Sequence, residues 1–320
     1  MFKILHSADW HILLHKKKVP WEWQHQRFNL FFEKLLELEE ECDVHIIAGD
    51  VFDKKPEPDE VALFLSYIHR VKRKTFIIPG NHEATSRGES FLKHFTGEYK
   101  INNPLVEVIC YNASRATHTA MFQFFPYGEM QLDNLPRPIP GHILVTHIRG
   151  EVPPHITAEY DFEKLQPWKL VLCGDLHHNH KYRDMPVYYP GSPMNVSFDR
   201  SEDREYGVNI IEGTLDDYRV RFVPLDLPRL LRRRIKSGEQ MIANSRDHVV
   251  YEVVGSVDEL AKVEASELLD KKIAHRAEEV SALDLSGLSL VEELERYLQH
   301  QKVEDVEGVT KTFKDLGVVR

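Results

Sequence analysis

Five short polar clusters built from metal-ligand residue types punctuate the chain up to residue 177. They are Asp9-Trp10-His11, Gly49-Asp50-Val51-Phe52-Asp53, Gly80-Asn81-His82-Glu83, Thr146-His147 and Gly174-Asp175-Leu176-His177. One Asp-x-His is a weak signal; five clusters in order, each closing an apolar run, are a strong one. The donors are nitrogen and oxygen without cysteine, which disfavours a structural zinc site and suits Mn²⁺, Fe²⁺ or Zn²⁺ in a catalytic site with open positions. Six or seven candidate ligands are too many for one tetrahedral ion, so two ions sharing a carboxylate is the natural reading, with Asp50 as the bridge. Two divalent ions about 3.5–4 Å apart clamp the attacking and leaving oxygens of a phosphoester. Asn81 can ligate without adding charge. His82 beside it can reach the substrate, neutralising charge in the transition state or protonating the departing oxygen. Asp53 and Glu83 either support the ligands from behind or, for Asp53, cap the following loop.

Such clusters need a scaffold that gathers them. The first two-thirds of the chain alternates short apolar runs with helical patterns, the layout of an α/β domain. Expected buried strands are 2–6, 44–48, 75–78, 142–146, 170–173 and 187–189. Between the first two, Phe28, Phe31, Phe32, Leu35, Leu36 and Leu38 share one helix face opposite Glu33, Glu37, Glu40 and Glu41. A second helix is expected over 59–71, with Val61, Phe64, Leu65 and Ile68 inward. In an α/β sheet the carboxyl ends of the strands meet at one edge, so the clusters would converge there. Gly49, Gly80 and Gly174 would let the backbone turn sharply at that edge. The segment 223–229, VPLDLPR, reads as a linker. A strand over 248–254 and two capping boxes, Ser256/Glu259 and Ser289/Glu292, follow. The second box opens a helix with Leu290, Val291, Leu294, Tyr297 and Leu298 on one stripe, and Val306, Val309, Phe313 and Leu316 mark a last one. The expected division is a domain over 1–225, a small cap over 226–285 and a helix pair over 286–320.

The series DWH, GDVFD, GNHE, a lone histidine after an apolar strand and a final G-x-x-H resembles the calcineurin-like metallophosphoesterases. Within them the chain is most similar to SbcD-type recombination and repair nucleases, and the likeness runs along most of its length. Tyr189-Pro190-Gly191-Ser192-Pro193, followed by Ser197-Phe198, is a signature of those nucleases rather than of phosphatases. The length resembles that of their compact bacteriophage members. The resemblance implies a four-layer αββα sandwich with a small α/β capping domain and a C-terminal helix pair. It implies one metal held by Asp9, His11, Asp50 and His177, a second held by Asp50, Asn81, His147 and residue 175, and His82 on the scissile phosphate. The family's last motif is usually Gly-His-x-His, whereas Asp175 stands here where the first histidine belongs. An aspartate can ligate by oxygen and make a harder, more anionic position. A second metal that binds poorly, or that uses His178 or His180 instead, is the alternative. The resemblance further implies duplex exonuclease and single-strand endonuclease action on DNA, with Mn²⁺ favoured over Mg²⁺. It also implies a homodimer and an SbcC-type coiled-coil ATPase held by the C-terminal helices. ATP would be the partner's, since the chain has no G-x-x-x-x-G-K-[ST] loop. The alternatives are a phosphomonoesterase or protein phosphatase, to which GNHE is also suited, and a catalytically weakened DNA-end-binding scaffold that regulates the ATPase. The absent D-R-G after GDVFD speaks against the phosphatase.

The formal charge of −10 argues against a polyanionic partner only if it is spread evenly, and it is not. Residues 28–60 hold eleven acidic and three basic residues, and residues 256–320 hold fifteen and nine, which exceeds the whole net charge. Lys16, Lys17 and Lys18 follow the first cluster, with Trp21 and Trp23 next. Arg232, Arg233 and Arg234 sit in a stretch of eight residues without an acid. Basic residues with aromatics suit tracking of a DNA backbone and stacking on bases. A solvated loop, for the lysines, and pairing with acidic neighbours, for the arginines, are the bland counterparts. Most of the eighteen histidines, among them His6, His45, His69, His94, His118 and His142, are expected to be structural. Three scattered cysteines exclude a disulfide framework and favour a reducing compartment. No run of about 18 apolar residues exists to span a membrane. With no secretion-signal pattern at the N-terminus, the expected location is the cytoplasm of a bacterial or phage-infected cell.

Overall fold

The computed structural model describes residues 1–85, 89–96, 101–130, 137–152, 157–200, 203–274, 289–303 and 305–315. The strands of the first half are β1 (Phe2–Ser7), β2 (Val44–Ala48), β3 (Lys74–Ile78), β4 (Val106–Val108), β5 (Ala113–Ala116), β6 (Met121–Phe125) and β7 (His142–His147). Those of the second half are β8 (Val171–Gly174), β9 (His180–Lys181), β10 (Val187–Tyr189), β11 (Gly207–Gly213), β12 (Tyr218–Pro224), β13 (Leu230–Lys236), β14 (His248–Gly255) and β15 (Leu269–Ala274). The α-helices are α1 (Trp21–Glu39), α2 (Pro58–Ile68), α3 (Tyr127–Met130), α4 (Val257–Ala261), α5 (Leu290–His300) and α6 (Val306–Asp315).

Two compact units emerge: Met1–Arg233 with Ile242–Val250, and Arg234–Met241 with Tyr251–Arg320. The first contains two six-stranded sheets. One runs β12-β11-β1-β2-β3-β4, parallel from β1 to β4, with β11 and β12 added antiparallel. The other runs β5-β6-β7-β8-β10-β9, parallel from β6 to β10, with antiparallel strands at both edges.

Alternation of side chains along each strand builds the layers. Ile4, Val44, Ile46, Phe76 and Ile78 of the first sheet meet Phe122, Phe124, Ile143, Val145 and Leu172 of the second in one core. Leu5, Ile47 and Ile77 face the other way, onto Phe28, Phe31 and Phe32 of α1 and Phe64 and Tyr67 of α2. Leu144, Val171 and Cys173 pack outward on Phe162, Leu165 and Trp168. Four layers result, in the expected αββα order, although among the described residues the last layer is a 3-10 turn, Phe162–Leu165, with loops. Strands buried on both faces read as unbroken apolar runs, which is why β1, β2, β3, β7, β8 and β10 were legible, although the parallel β4 and β6 were not anticipated. Each buried Phe or Leu contributes roughly 1.5–3 kcal/mol of transfer free energy, so these cores can hold the polar edge in place.

Several expectations shift. Helix α2 ends at Ile68, three residues early, and buries Leu63 and Tyr67, while Val61 and Leu65 are half-buried. Buried Gln24, Arg27 and Glu39 extend the apolar stripe of α1. Val223 and Pro224 end β12, so only residues 225–229 connect it to β13. The basic stretch 230–236 is itself a strand.

In the second unit β14 and β15 pair in parallel from Tyr251 onward, Ser256 and Glu259 form the expected capping box of α4, and α5 opens with the Ser289/Glu292 box. Lys314 of α6 lies 3.8 Å from Glu295 of α5. The domain division at 225 and 285 stands as a proposal. Residue 285 and Leu316 lie outside the described residues. No described helix is long and apolar enough to cross a membrane.

Candidate metal centre

The loops after β1 and β2 run side by side at the carboxyl edge of the first sheet. The amide of Asp9 donates to the Gly49 carbonyl at 3.0 Å, and that of His11 donates to the Asp50 carbonyl at 3.0 Å. This ladder holds Asp9, His11 and Asp50 at φ of 55°, 46° and 52°, and Asp175 after β8 has φ 97°. Such a conformation costs a non-glycine residue about 1–3 kcal/mol and persists only where the surroundings over-determine it.

The expected glycines are present for two different reasons. Gly49 alone has a positive φ, 91°. Gly80 and Gly174 are required by close approach. A Cβ on Gly80 would stand 2.2 Å from Asp50 Oδ1, and one on Gly174 would stand 2.0 Å from the Ala48 carbonyl oxygen and 2.5 Å from His147 Nδ1.

Seven side chains from five strand ends converge as two donor groups. In the first, His11 Nε2 lies 3.0 Å from His177 Nε2 and 3.6 Å from Asp50 Oδ2, and Asp9, His11 and His177 can all reach one point. In the second, His147 Nε2 lies 3.5 Å from Asp50 Oδ1, 3.7 Å from Asp175 Oδ1 and 2.9 Å from Asn81 Oδ1. Asp9, Asp50 and His147 form a further triple. The amide of Asp175 donates to both carboxylate oxygens of Asp9, at 3.0 and 3.3 Å, and so ties the end of β8 to that of β1.

Charge and tautomer both point to a cation. His147 Nδ1 is 2.7 Å from the Ala48 carbonyl and must carry the hydrogen that bonds it, so the neutral ring aims its Nε2 lone pair at Asp50, Asn81 and Asp175. The amide terminus of Asn81 facing His147 also lies 3.1 Å from Asp50 Oδ2 and 3.3 Å from Asp175 Oδ1. As an oxygen it would face only acceptors, an arrangement a divalent ion among them would satisfy.

Without a cation, protons must substitute. Burial lowers the pKa of His147, but Asp50, Asp9 and Asp175 outweigh it and raise it well above its ordinary value. Burial, with Asp50 and Asp175, raises Asp9 well above the carboxylate range against the pull of His147. Burial pushes Asp50 up too, yet His147, His11 and His82 hold it below that range. His177 is pulled down to about 4 by burial and by His11, which leaves its lone pair free at neutral pH.

Supporting residues explain the geometry. Glu83, fully buried, accepts the amides of Asp50 (3.0 Å), Phe52 (2.9 Å) and Gly80 (2.8 Å), pinning two loops together. Burial and Asp50 push this carboxyl up to about 7. Asp53 Oδ1 is 3.4 Å from His11 Nδ1, and its carbonyl is 2.5 Å from His82 Nδ1. Sequence left Asp53 between supporting a ligand and capping the loop; the structure puts it against both His11 and His82. His82 donates its amide to Asp50 Oδ1 at 2.9 Å, packs edge-on against His11 and keeps its ring 37% exposed, and with His11 and Asp53 it forms a third triple that could hold an ion. The YPGSP segment braces the loop of His177 from behind. Asn179 donates to the Tyr189 carbonyl at 3.0 Å, and a Cβ on Gly191 would stand 2.7 Å from the Asn179 nitrogen. Buried Arg27, which sequence reasoning missed as an isolated charge in an apolar helix, clamps Asn195 just beyond that segment through its carbonyl (2.8 Å) and Oδ1 (2.6 Å).

Of the basic residues, Lys16 is half-buried and lines a small cavity with His11 and Asp53, whereas Lys17 is exposed and the Lys18 carbonyl accepts a bond from His248. Arg232 lies over the Phe198 ring, Arg233 is exposed, and Arg234 pairs with buried Glu252 at 3.2 Å within the second unit. His6, His45, His69, His94, His118 and His142 lie outside the three triples Asp9/His11/His177, His11/Asp53/His82 and Asp9/Asp50/His147. The three cysteines are free.

The sequence profile of the calcineurin-like phosphoesterases matches residues 2–179. Over 305 residues the chain is 37% identical to the "Probable exonuclease subunit 1" of Escherichia phage T5, covering 93% of this chain and 92% of that protein. Among solved structures, TT1561 of Thermus thermophilus superposes with a TM-score of 0.43 at 12% identity, over 69% of this chain and 98% of that one. GAP50, the anchor in the inner membrane complex of Plasmodium, gives 0.41 at 15%, over 70% and 84%. Both structural likenesses are too distant to bear on function.

Proposed function

The chain belongs to the calcineurin-like phosphoesterase family, and from that premise we propose that it is a two-metal DNA nuclease, the hydrolytic partner of an SbcC-type ATPase. The convergence of Asp9, His11, Asp50, Asn81, His147, Asp175 and His177 on two adjacent points carries the reading. Likeness to a phage protein named as an exonuclease subunit supports DNA as the substrate.

Asp9, His11, His177 and Asp50 would hold one divalent ion, and Asp50, Asn81, His147 and Asp175 the other, with Mn²⁺ or Mg²⁺ as the working metal. When bound, such a pair polarises a phosphodiester and activates the attacking water. Asp50 faces both groups and fixes their separation. Asp53 orients His11 through its far nitrogen, which sets the direction of the ligating lone pair. His82, anchored through its amide and Nδ1, holds Nε2 4.0 Å from Asp50 Oδ2, where it would contact the scissile phosphate and deliver a proton to the departing oxygen. Lys16, Lys17 and Lys18, with Arg232 and Arg233, would follow the DNA backbone.

The exposed apolar residues Leu290 and Tyr297 on α5 support a helix-pair docking site for the coiled-coil ATPase, and we extend the proposal to a homodimer by analogy with similar nucleases. Linear duplex DNA and a phosphoserine peptide, each incubated with protein and Mn²⁺, test the proposal. Cleavage of the DNA alone, lost in Asp50→Ala, is expected; turnover of the peptide alone would replace the nuclease with a phosphatase. A folded, metal-loaded protein that hydrolyses neither would favour the scaffold reading.

A further inference from the structure

We infer that the two cation positions are chemically unequal, and that Asp175 makes the second selective for hard divalent ions. The inference rests on the two-metal reading and goes beyond it, because it assigns a preference to each position. Around the first, two imidazole nitrogens, those of His11 and His177, join the carboxylates of Asp9 and Asp50. Around the second, His147 supplies the one nitrogen against oxygens of Asp50, Asp175 and Asn81. Imidazole-rich sets favour Zn²⁺ and its neighbours in the first transition row, whereas carboxylate and carbonyl sets favour Mg²⁺ and Mn²⁺.

The inequality is built into the backbone. Asp175 has φ 97°, which lets its amide reach Asp9 while its carboxylate turns to His147. Gly174 before it admits no Cβ, so this turn cannot relax by repositioning that residue. His147 is locked by the Ala48 carbonyl and cannot offer its second nitrogen. The only other neutral donor in this group, Asn81, adds another oxygen. Nothing in the set can make the second position as nitrogen-rich as the first.

The test reads metal binding rather than hydrolysis. Metal-free protein is titrated with Zn²⁺ by calorimetry, then with Mn²⁺ while the free-ion signal is followed by electron paramagnetic resonance. One tight Zn²⁺ equivalent is expected, at least about 10-fold tighter than a second, with one Mn²⁺ still binding to the zinc-loaded protein. In Asp175→His the second Zn²⁺ should tighten by about 10-fold or more and exclude Mn²⁺. Because histidine at this φ strains the turn, Asp175→Asn serves as the second variant: it should weaken Mn²⁺ at the second position by at least about 10-fold and leave the tight Zn²⁺ unchanged. Two Zn²⁺ equivalents of equal affinity in the unaltered protein, or an Asp175→Asn variant with unchanged Mn²⁺ binding, would overturn the inference. A protein that binds metals as expected but cuts no DNA would overturn the nuclease reading instead.

Discussion

At the ends of β1, β2 and β7 the first unit buries Asp9, Asp50 and His147 almost completely, while α5 of the second unit leaves Leu290 and Tyr297 about half exposed, at 51% and 50%. Both arrangements are unfavourable in isolation. Buried carboxylates cost several kcal/mol unless charge is matched, and exposed large apolar residues forgo the transfer free energy of burial. The burdens have opposite chemistry, so they call for opposite complements: a small, doubly charged ion in one place and an apolar surface in the other. The first region is rigid by construction, with loops tied by Glu83 and by strained residues at fixed φ. The second is two amphipathic helices whose described residues include few buried ones.

If that contrast is right, substitutions in the two regions should fail differently. The largest effect is expected from Asp50→Ala, which removes the carboxylate facing both donor groups: metal-dependent hydrolysis should drop to background while the circular dichroism spectrum stays native. His82→Ala should lower kcat by about 10²–10⁴ with Mn²⁺ affinity unchanged, because the two proposed ion positions that share Asp50 are built without this ring. Gly80→Ala touches no ligand chemically, yet its Cβ would strike Asp50; Mn²⁺ affinity by calorimetry should weaken at least about 10-fold.

A pH series gives a smaller, graded effect. His147 and Asp9 have raised pKa values in the metal-free protein, so an entering cation must displace their protons. Apparent Mn²⁺ affinity is therefore highest above those values and declines as pH falls through them, with proton release seen as a buffer-dependent binding enthalpy. The smallest effect on the chain itself belongs to α5. Leu290→Glu with Tyr297→Glu should change stability by no more than about 0.5 kcal/mol and leave DNA hydrolysis intact, while abolishing co-purification with a coiled-coil ATPase. Loss of hydrolysis in that variant would erase the contrast between the regions.

Apart from β4 and β6, the parallel strands of the first unit were readable because burial on both faces leaves an apolar run, and those of β1, β2, β3, β7 and β8 stop in ligand-type residues. The edges were not. Ala113–Ala116 is the strand ASRA, and β13 is LLRRRIK, in which three arginines mask the period. Antiparallel additions such as β11 and β12 take their stability from neighbours rather than from their own pattern. At the site, the candidate donors and their order were legible, but the work of Glu83 was not, because accepting three amides from two loops leaves no trace in spacing. The reason for Gly80 and Gly174 was likewise hidden, since sequence suggests turning and the structure requires absence of a side chain. Asp175 was legible as a departure from the family pattern, and its place beside His147 gives that departure a chemical meaning.

Anomalous diffraction from crystals soaked in Mn²⁺ tests the two-ion centre most directly. The account predicts two peaks about 3.5–4 Å apart, one within bonding distance of Asp9, His11, Asp50 and His177, the other of Asp50, Asn81, His147 and Asp175. A single peak, or a second peak whose ligands exclude Asp175 in favour of His178 or His180, would contradict it.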